Sequence, residues 1–360
     1  MMTFARPSFL RFAAIALALL PVPAIAQAKD PGSEVDWVAF SLSMLGGLAL
    51  FLFGVELLAH SLKHLQGGRF QKLLARSSSN RFAALASGTV ATVALDSSSV
   101  VIILLITIVD AGLVPFANAL PVILGANIGT TFSSQVFAWN VDAYAPVLIA
   151  AGLLWKAIAK SDRTKEMARI LIGLGLVLFA LHIIGDAAEP LKENADIIAW
   201  LKQLENPLYG VLAGALVTIA IQSSSAMMGI VITLAGGGLI TLPAGIAIML
   251  GAEIGTCADT LLATLGRSRS ALKAGLFHLG FNIVTVAIGV TLIALLTRFA
   301  TATATDTGQQ LANAHVLFNV AGALLVLPFV GTAAKLLDCI VPDRGGDDHA
   351  QADRQPVPQQ

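Results

Sequence analysis

Charge is scarce in this 360-residue chain: Asp, Glu, Lys and Arg together make up 12%, about half the roughly 25% usual in soluble domains. Aromatic residues are few, at 6%, and the two cysteines, Cys257 and Cys339, lie far apart. They offer neither a disulfide framework nor a zinc spacing; each reads as a small apolar packing residue. Lys+Arg and Asp+Glu balance at 22 each, for a formal net charge of zero. That balance excludes a basic nucleic-acid binder and an acidic disordered chain. What is abundant is apolar: 56% of residues are hydrophobic and mean hydropathy is +0.80. Apolar stretches of about 20 residues recur along the whole length. The composition is that of an all-α polytopic protein embedded in a bilayer.

The N-terminus reads differently from the rest. Arg6 and Arg11 precede an apolar run over residues 12–20, with helix-breaking Pro21 and Pro23 next and small residues at Ala24, Ala26 and Ala28. The run is too short to span comfortably, so residues 1–28 are expected to be a signal peptide, with an uncleaved signal anchor as the alternative.

The remainder is a tandem repeat. Ser97-Ser98-Ser99 recurs as Ser223-Ser224-Ser225, an offset of 126 (223 − 97). Gly125-Ala126-Asn127-Ile128-Gly129-Thr130 recurs as Gly251-Ala252-Glu253-Ile254-Gly255-Thr256 in the same register. Gly47/Gly173, Gly88/Gly214, Thr92/Thr218, Thr107/Thr233 and Gly112/Gly238 keep that register without a gap. The units are assigned to residues 37–160 and 166–298, with a final helix over 314–338 and a polar, disordered tail over 342–360.

Each unit reads as a first apolar helix (37–60; 168–185), a hydrophilic loop, and two half-length helices. The half-helices cover 82–95 and 100–110, then 208–221 and 226–235, and meet at the serines. At a rise of 1.5 Å, 10–14 residues fall short of a hydrocarbon core about 30 Å thick. Each pair therefore reads as a re-entrant hairpin. A third element (115–139; 242–265) is expected to break midway at the glycine-flanked Asn127 or Glu253, and a fourth (143–160; 271–298) closes the unit.

A hairpin makes no net crossing, so three crossings per unit invert the second unit relative to the first. Charge supports this. The loop carrying Lys63, Arg69, Lys72, Arg76 and Arg81 has no acid, whereas its counterpart carries Asp186, Glu189, Glu193, Asp196 and Glu205 against Lys192 and Lys202. The positive-inside rule puts the first loop in the cytoplasm and the second outside. The count comes to seven crossings, with a cytoplasmic C-terminus.

Inverted repeats with discontinuous helices describe a secondary transporter, with its site where the repeats meet. Half-helix N-termini offer N–H groups and a positive dipole end to an anion, and the serine clusters stand where they cap them. Carbonyls freed near Gly125, Gly129, Gly251 and Gly255 would suit a small cation. Asn127, Glu253 and Asp96 are costly in a membrane, which marks them as functional candidates. Other polar residues have plainer readings. Thr107 and Thr233 back-bond within their helices, and Glu56 and His60 lie near the cytoplasmic interface. The repeated H-x-x-F-N pattern at His278–Asn282 and His315–Asn319 reads as interhelical hydrogen bonding.

These residues resemble the type II sodium/phosphate cotransporter family. The resemblance rests on Gln222-Ser223-Ser224-Ser225, its degenerate partner Asp96-Ser97-Ser98-Ser99, the Gly-Ala-Asn-Ile-Gly-Thr-Thr stretch ending at Thr131, and the H-x-x-F-N pair. It covers residues 47–329 and implies a short bacterial form without the C-terminal regulatory domain. The resemblance implies that Gln222, Ser223, Ser224, Ser225, Ser97, Ser98 and Ser99 bind phosphate. It also implies that Asp96, Asn127, Thr130, Thr131, Glu253 and Thr256 hold or tune the cation. Asp96 stands where the family usually has Gln, and Glu253 where it usually has Asn.

The expected function is sodium-coupled symport of inorganic phosphate across the inner membrane by alternating access. Sodium is the coupling ion; no cofactor, enzymatic activity or nucleic-acid partner is expected. A different small anion or proton coupling is the alternative. An intramembrane lipid-phosphate hydrolase is disfavoured because no arginine accompanies the serines to hold a transition-state phosphoryl group.

Overall fold

The computed structural model describes residues 35–66, 69–77, 80–139 and 141–342. The expected signal peptide, and the expected tail beyond its first residue, lie outside them. The described residues form sixteen α-helices and four short 3-10 turns, with no strand among them. Five helices are long and apolar enough to cross a membrane, including Trp37–Leu65 and Arg269–Thr291.

Unit one opens with α1 (Trp37–Gln66), in which Asp36 Oδ1 caps Val38 N and Ala39 N at 3.0 and 2.9 Å. A short α2 (Arg69–Ser77) precedes the hairpin α3 (Arg81–Leu95) and α4 (Ser98–Asp110). Next come α5 (Phe116–Ala138) and α6 (Ala145–Ile158). Unit two opens with α7 (Asp162–Ala188) and the surface helix α8 (Ala195–Lys202). Its hairpin is α9 (Pro207–Ile221) and α10 (Ser224–Gly236), and α11 (Leu242–Gly255) and α12 (Cys257–Leu262) come next. The fourth element is α13 (Arg269–Thr291) with α14 (Ile293–Thr301), and the chain closes with α15 (Thr307–Val326) and α16 (Val330–Ile340).

Local chemistry sets both hairpins in the same way. Asn80 caps α3 by accepting from Phe82 N at 2.9 Å, and its register partner Asn206 caps α9 by accepting from Leu208 N at 3.0 Å. Their second arms end at Gly112 (φ 70) and Gly238 (φ 81). There Leu113 N bonds Ile108 O at 3.1 Å and Leu239 N bonds Leu234 O at 2.9 Å. This is a left-handed C-cap closed by a six-to-one bond, a conformation that suits glycine.

The third elements depart from the sequence expectation. Helix α5 runs unbroken through Asn127, and α11 runs through Glu253 to Gly255. Only Thr256 interrupts the second, before α12 continues. The glycines therefore free no carbonyls at mid-helix; they seat one helix on another. A Cβ on Gly125 would lie 1.9 Å from Leu85 O, and one on Gly251 would lie 2.1 Å from Val211 O. Close backbone approach through small residues is how helices associate without an aqueous driving force. So α3 lies along α5, and α9 along α11.

Other boundaries also shift. The fourth element of unit two is divided near Leu292, and the final helix starts at Thr307 and continues through a 3-10 turn containing Pro328. Cys257 is buried as expected, but Cys339 is exposed on α16. The first helices of the two units pack on each other, with α6 against α7, as a flank beside the hairpin-bearing core. Within that core, α13 packs on α4 and α15 on α10, so the two H-x-x-F-N helices take matching places.

Candidate substrate and ion site

Asp96 (φ 51, ψ 31) and Gln222 (φ 60, ψ 29) join the hairpin arms, and they are the only non-glycine residues with positive φ among those described. Holding a side-chain-bearing residue there costs energy and is a common mark of functional sites. The left-handed turn lets the next residue extend and cap the second arm. Ser97 Oγ accepts from Val100 N at 3.2 Å, and Ser223 Oγ accepts from Ala226 N at 3.1 Å. The first N–H groups of α4 and α10 have no intrahelical partner, as at any helix start. Ser98, Ser224 and Ser225 are buried at these starts, Ser97, Ser99 and Ser223 are half-buried, and Gln222 is exposed. Each tip thus presents hydroxyls and backbone donors at a positive dipole end, a combination suited to an oxyanion.

The units meet at the tip of hairpin one. Ser99 Oγ lies 3.2 Å from Thr256 Oγ1, at the interruption between α11 and α12. Asp96 accepts a hydrogen bond from Ser133 on α5. The other expected residues are engaged nearby. Asn127 Nδ2 donates to Asn282 Oδ1 at 3.1 Å, while Thr130 and Thr131 donate back to Ala126 O and Ile128 O at 3.2 and 2.8 Å. Glu253 Oε1 accepts from Asn319 Nδ2 at 2.7 Å and lies 2.9 Å from His315 Nε2. Both H-x-x-F-N motifs make interhelical bonds: His278 Nδ1 lies 2.9 Å from Thr260 Oγ1, and His315 Nδ1 lies 2.7 Å from Ser134 Oγ. Thr107 and Thr233 back-bond within their helices at 2.9 and 3.0 Å.

The sequence pattern of the Na+/Pi-cotransporter family matches residues 50–186 and 194–327. The chain belongs to that family. It is 28% identical over 304 residues to YqeW, an uncharacterized protein of Bacillus subtilis (strain 168), covering 84% of this chain and 98% of the relative. It is 27% identical over 303 residues to YjbB of Escherichia coli (strain K12), named for inorganic phosphate export, covering 84% of this chain but 56% of that protein. It is 28% identical over 165 residues to human sodium-dependent phosphate transport protein 2B, covering 42% of this chain and 23% of the relative. No solved structure matches it. The family is one of phosphate transporters, and this chain is a multi-span membrane protein within it.

The motifs legible in the sequence end at Thr131 and Thr256, and they leave out four polar residues just beyond. Ser133 and Ser134 stand in register with Asp259 and Thr260. Both units use the second of these positions to meet a histidine, His315 or His278. At the first, the carboxylate moves from tip to helix: unit one has Asp96 at its tip and Ser133 on α5, whereas unit two has the amide Gln222 at its tip and Asp259 on α12. The 126-residue register, carried four residues further, is the signal that identifies them.

Proposed function

We propose that this chain is a sodium-coupled symporter of inorganic phosphate in the inner membrane. The observation that carries the reading is the pair of left-handed turns at Asp96 and Gln222, each leading into a serine-capped helix start. Gln222 with Ser223, Ser224 and Ser225, together with Ser97, Ser98 and Ser99, hold the anion by hydroxyl and backbone donors. Asp96, Asn127, Thr130, Thr131 and Thr256 supply oxygens to sodium, and Glu253 tunes the charge beside them. The two units are inverted repeats, and the hairpin-bearing core moves against the α1–α6–α7 flank to alternate access. The charge asymmetry of the loops supports seven crossings with the C-terminus inside.

Purified protein in liposomes, given an inward sodium gradient, is expected to accumulate phosphate above empty liposomes; no such uptake defeats the reading. Reversing the gradient is expected to reverse the flux, which accommodates relatives named for export and for sodium-dependent transport. Cys339, exposed on α16, is expected to react with an impermeant thiol reagent only from the cytoplasmic face.

A further inference from the structure

Asn127 and Glu253 hold matching places in the two units, yet only one of them can carry charge. Asn127 makes an amide-to-amide contact with Asn282, whereas Glu253 faces an imidazole, His315, and an amide, Asn319. The acid and the imidazole are both buried, at 4% and 1% exposure. A lone carboxylate so placed is costly, and pairing with a protonated partner removes the net charge.

Two protonation states fit this geometry. In one, neutral His315 donates Nε2–H to the Glu253 carboxylate, and Ser134 Oγ–H donates to Nδ1; the cluster carries one negative charge. In the other, one added proton occupies Nδ1, the Ser134 hydroxyl turns to accept it, and the cluster is neutral. No other bond forms or breaks. The hydroxyl that must turn is 2.7 Å from Nδ1.

The cluster adjoins the tip of hairpin one by two routes. Glu253 precedes Thr256, the partner of Ser99, by one helical turn, about 4.5 Å along the axis. Ser134 is the chain neighbour of Ser133, the partner of Asp96. An anion bound at the serines raises the proton affinity of a nearby acid pair.

The titratable groups around the cluster are few. Asp96 bonds Ser133, the chain neighbour of Ser134; Cys257 Sγ on α12 lies 3.4 Å from Glu253 O; and His278 on α13 bonds Thr260. Asp259 on α12 is half-buried, Lys273 on α13 is ion-paired with Asp338, and Glu205, Tyr209 and Arg298 are exposed. Helices α5 and α10 contain none, and α15 adds only His315 itself.

We propose that the Glu253–His315 pair is a proton-binding site that fills as the anion binds, so that this chain moves a proton along with phosphate. The proposal rests on the phosphate-transport reading. Linkage makes the coupling reciprocal: phosphate raises proton affinity, and lowering pH raises phosphate affinity.

Calorimetric titration of the purified full chain with inorganic phosphate, in buffers of different ionisation enthalpy, counts protons taken up per anion. Wild type is expected to take up about one proton more than Glu253→Gln, and its affinity to fall up to about tenfold more steeply per pH unit. The anion's own change of ionisation is common to both and cancels. Equal proton counts with phosphate binding intact overturn the proton site alone; absence of phosphate binding in wild type overturns the transport reading. Spectra of wild type carrying 15N-labelled histidine provide a check that does not depend on the variant folding. Phosphate is expected to convert one further buried imidazole to imidazolium, and an unchanged histidine spectrum overturns the proposal.

Discussion

At the end away from the serines, α4 is tied down while its counterpart α10 borders a cavity. Asp110, the last residue of α4, accepts from Ser268 N at 2.8 Å and lies 3.7 Å from Arg267 Nη1, which also donates to Thr107 Oγ1 at 3.0 Å. The register partners of Thr107 and Asp110 are Thr233 and Gly236. These line a cavity of about 270 Å³ whose wall also includes Asp142, His182, Asp186 and Asp306. Caps, turns and glycine seats recur in both units, but the charges at the two ends do not. The repeat keeps what positions the helices and varies what they present to ions.

If that division holds, equivalent backbone seats should fail together. Gly125→Ala and Gly251→Ala each drive a methyl into a carbonyl, so each is expected to cost about 3 kcal/mol or more. Thermal unfolding of both variants measures this, against Gly46→Ala and Gly280→Ala, where a Cβ meets open space. Sensitivity in one unit only would break the comparison.

Where the chemistry differs, making the units alike should change coupling rather than folding. Asp96→Gln with Glu253→Asn gives unit one the tip residue of unit two, and unit two the helix residue of unit one. Phosphate uptake is expected to remain measurable while the charge moved per phosphate changes, read as current against tracer flux. Unchanged coupling would demote both carboxylates to structural residues.

A smaller effect separates the cross-unit contacts. A double-mutant cycle on Ser99→Ala and Thr256→Ala, read by thermal unfolding, is expected to give a coupling of about 1 kcal/mol. The register-equivalent cycle on Ser225 and Thr130 should give none, because Thr130 bonds its own helix. Smallest is Arg267→Ala. Its ion pair with Asp110 is about one-third exposed on both sides, so screening limits the loss to less than about 1 kcal/mol, shrinking further in high salt.

Much of the fold is legible in the chain because its signals are local. Asn80, Ser97, Asn206 and Ser223 cap helices through bonds to residues two or three positions away, and the doubled serine tips depend on that alone. The glycine stretches mislead, since a glycine pair in a helix reads alike whether it loosens that helix or admits another. Gly125 faces Leu85 and Gly251 faces Val211, a relation that spacing within one helix does not contain. The histidines read correctly as hydrogen-bonding residues, but nothing near them in the chain names their partners.

Composition alone dictates a membrane-embedded helical protein, and the 126-residue register dictates two equivalent capped hairpins. Both conclusions depend on hydropathy and short-range hydrogen bonding, which act within a few residues. Packing in three dimensions is what carries α5 and α11 unbroken through Asn127 and Glu253. It also brings Ser99 to Thr256 and Glu253 to His315, contacts 157 and 62 residues apart in sequence. These pairings join α4 to the α11–α12 junction and α11 to α15, whereas the glycine seats join α3 to α5 and α9 to α11. The sequence repeats the seats within each unit, and packing between helices decides which polar groups meet.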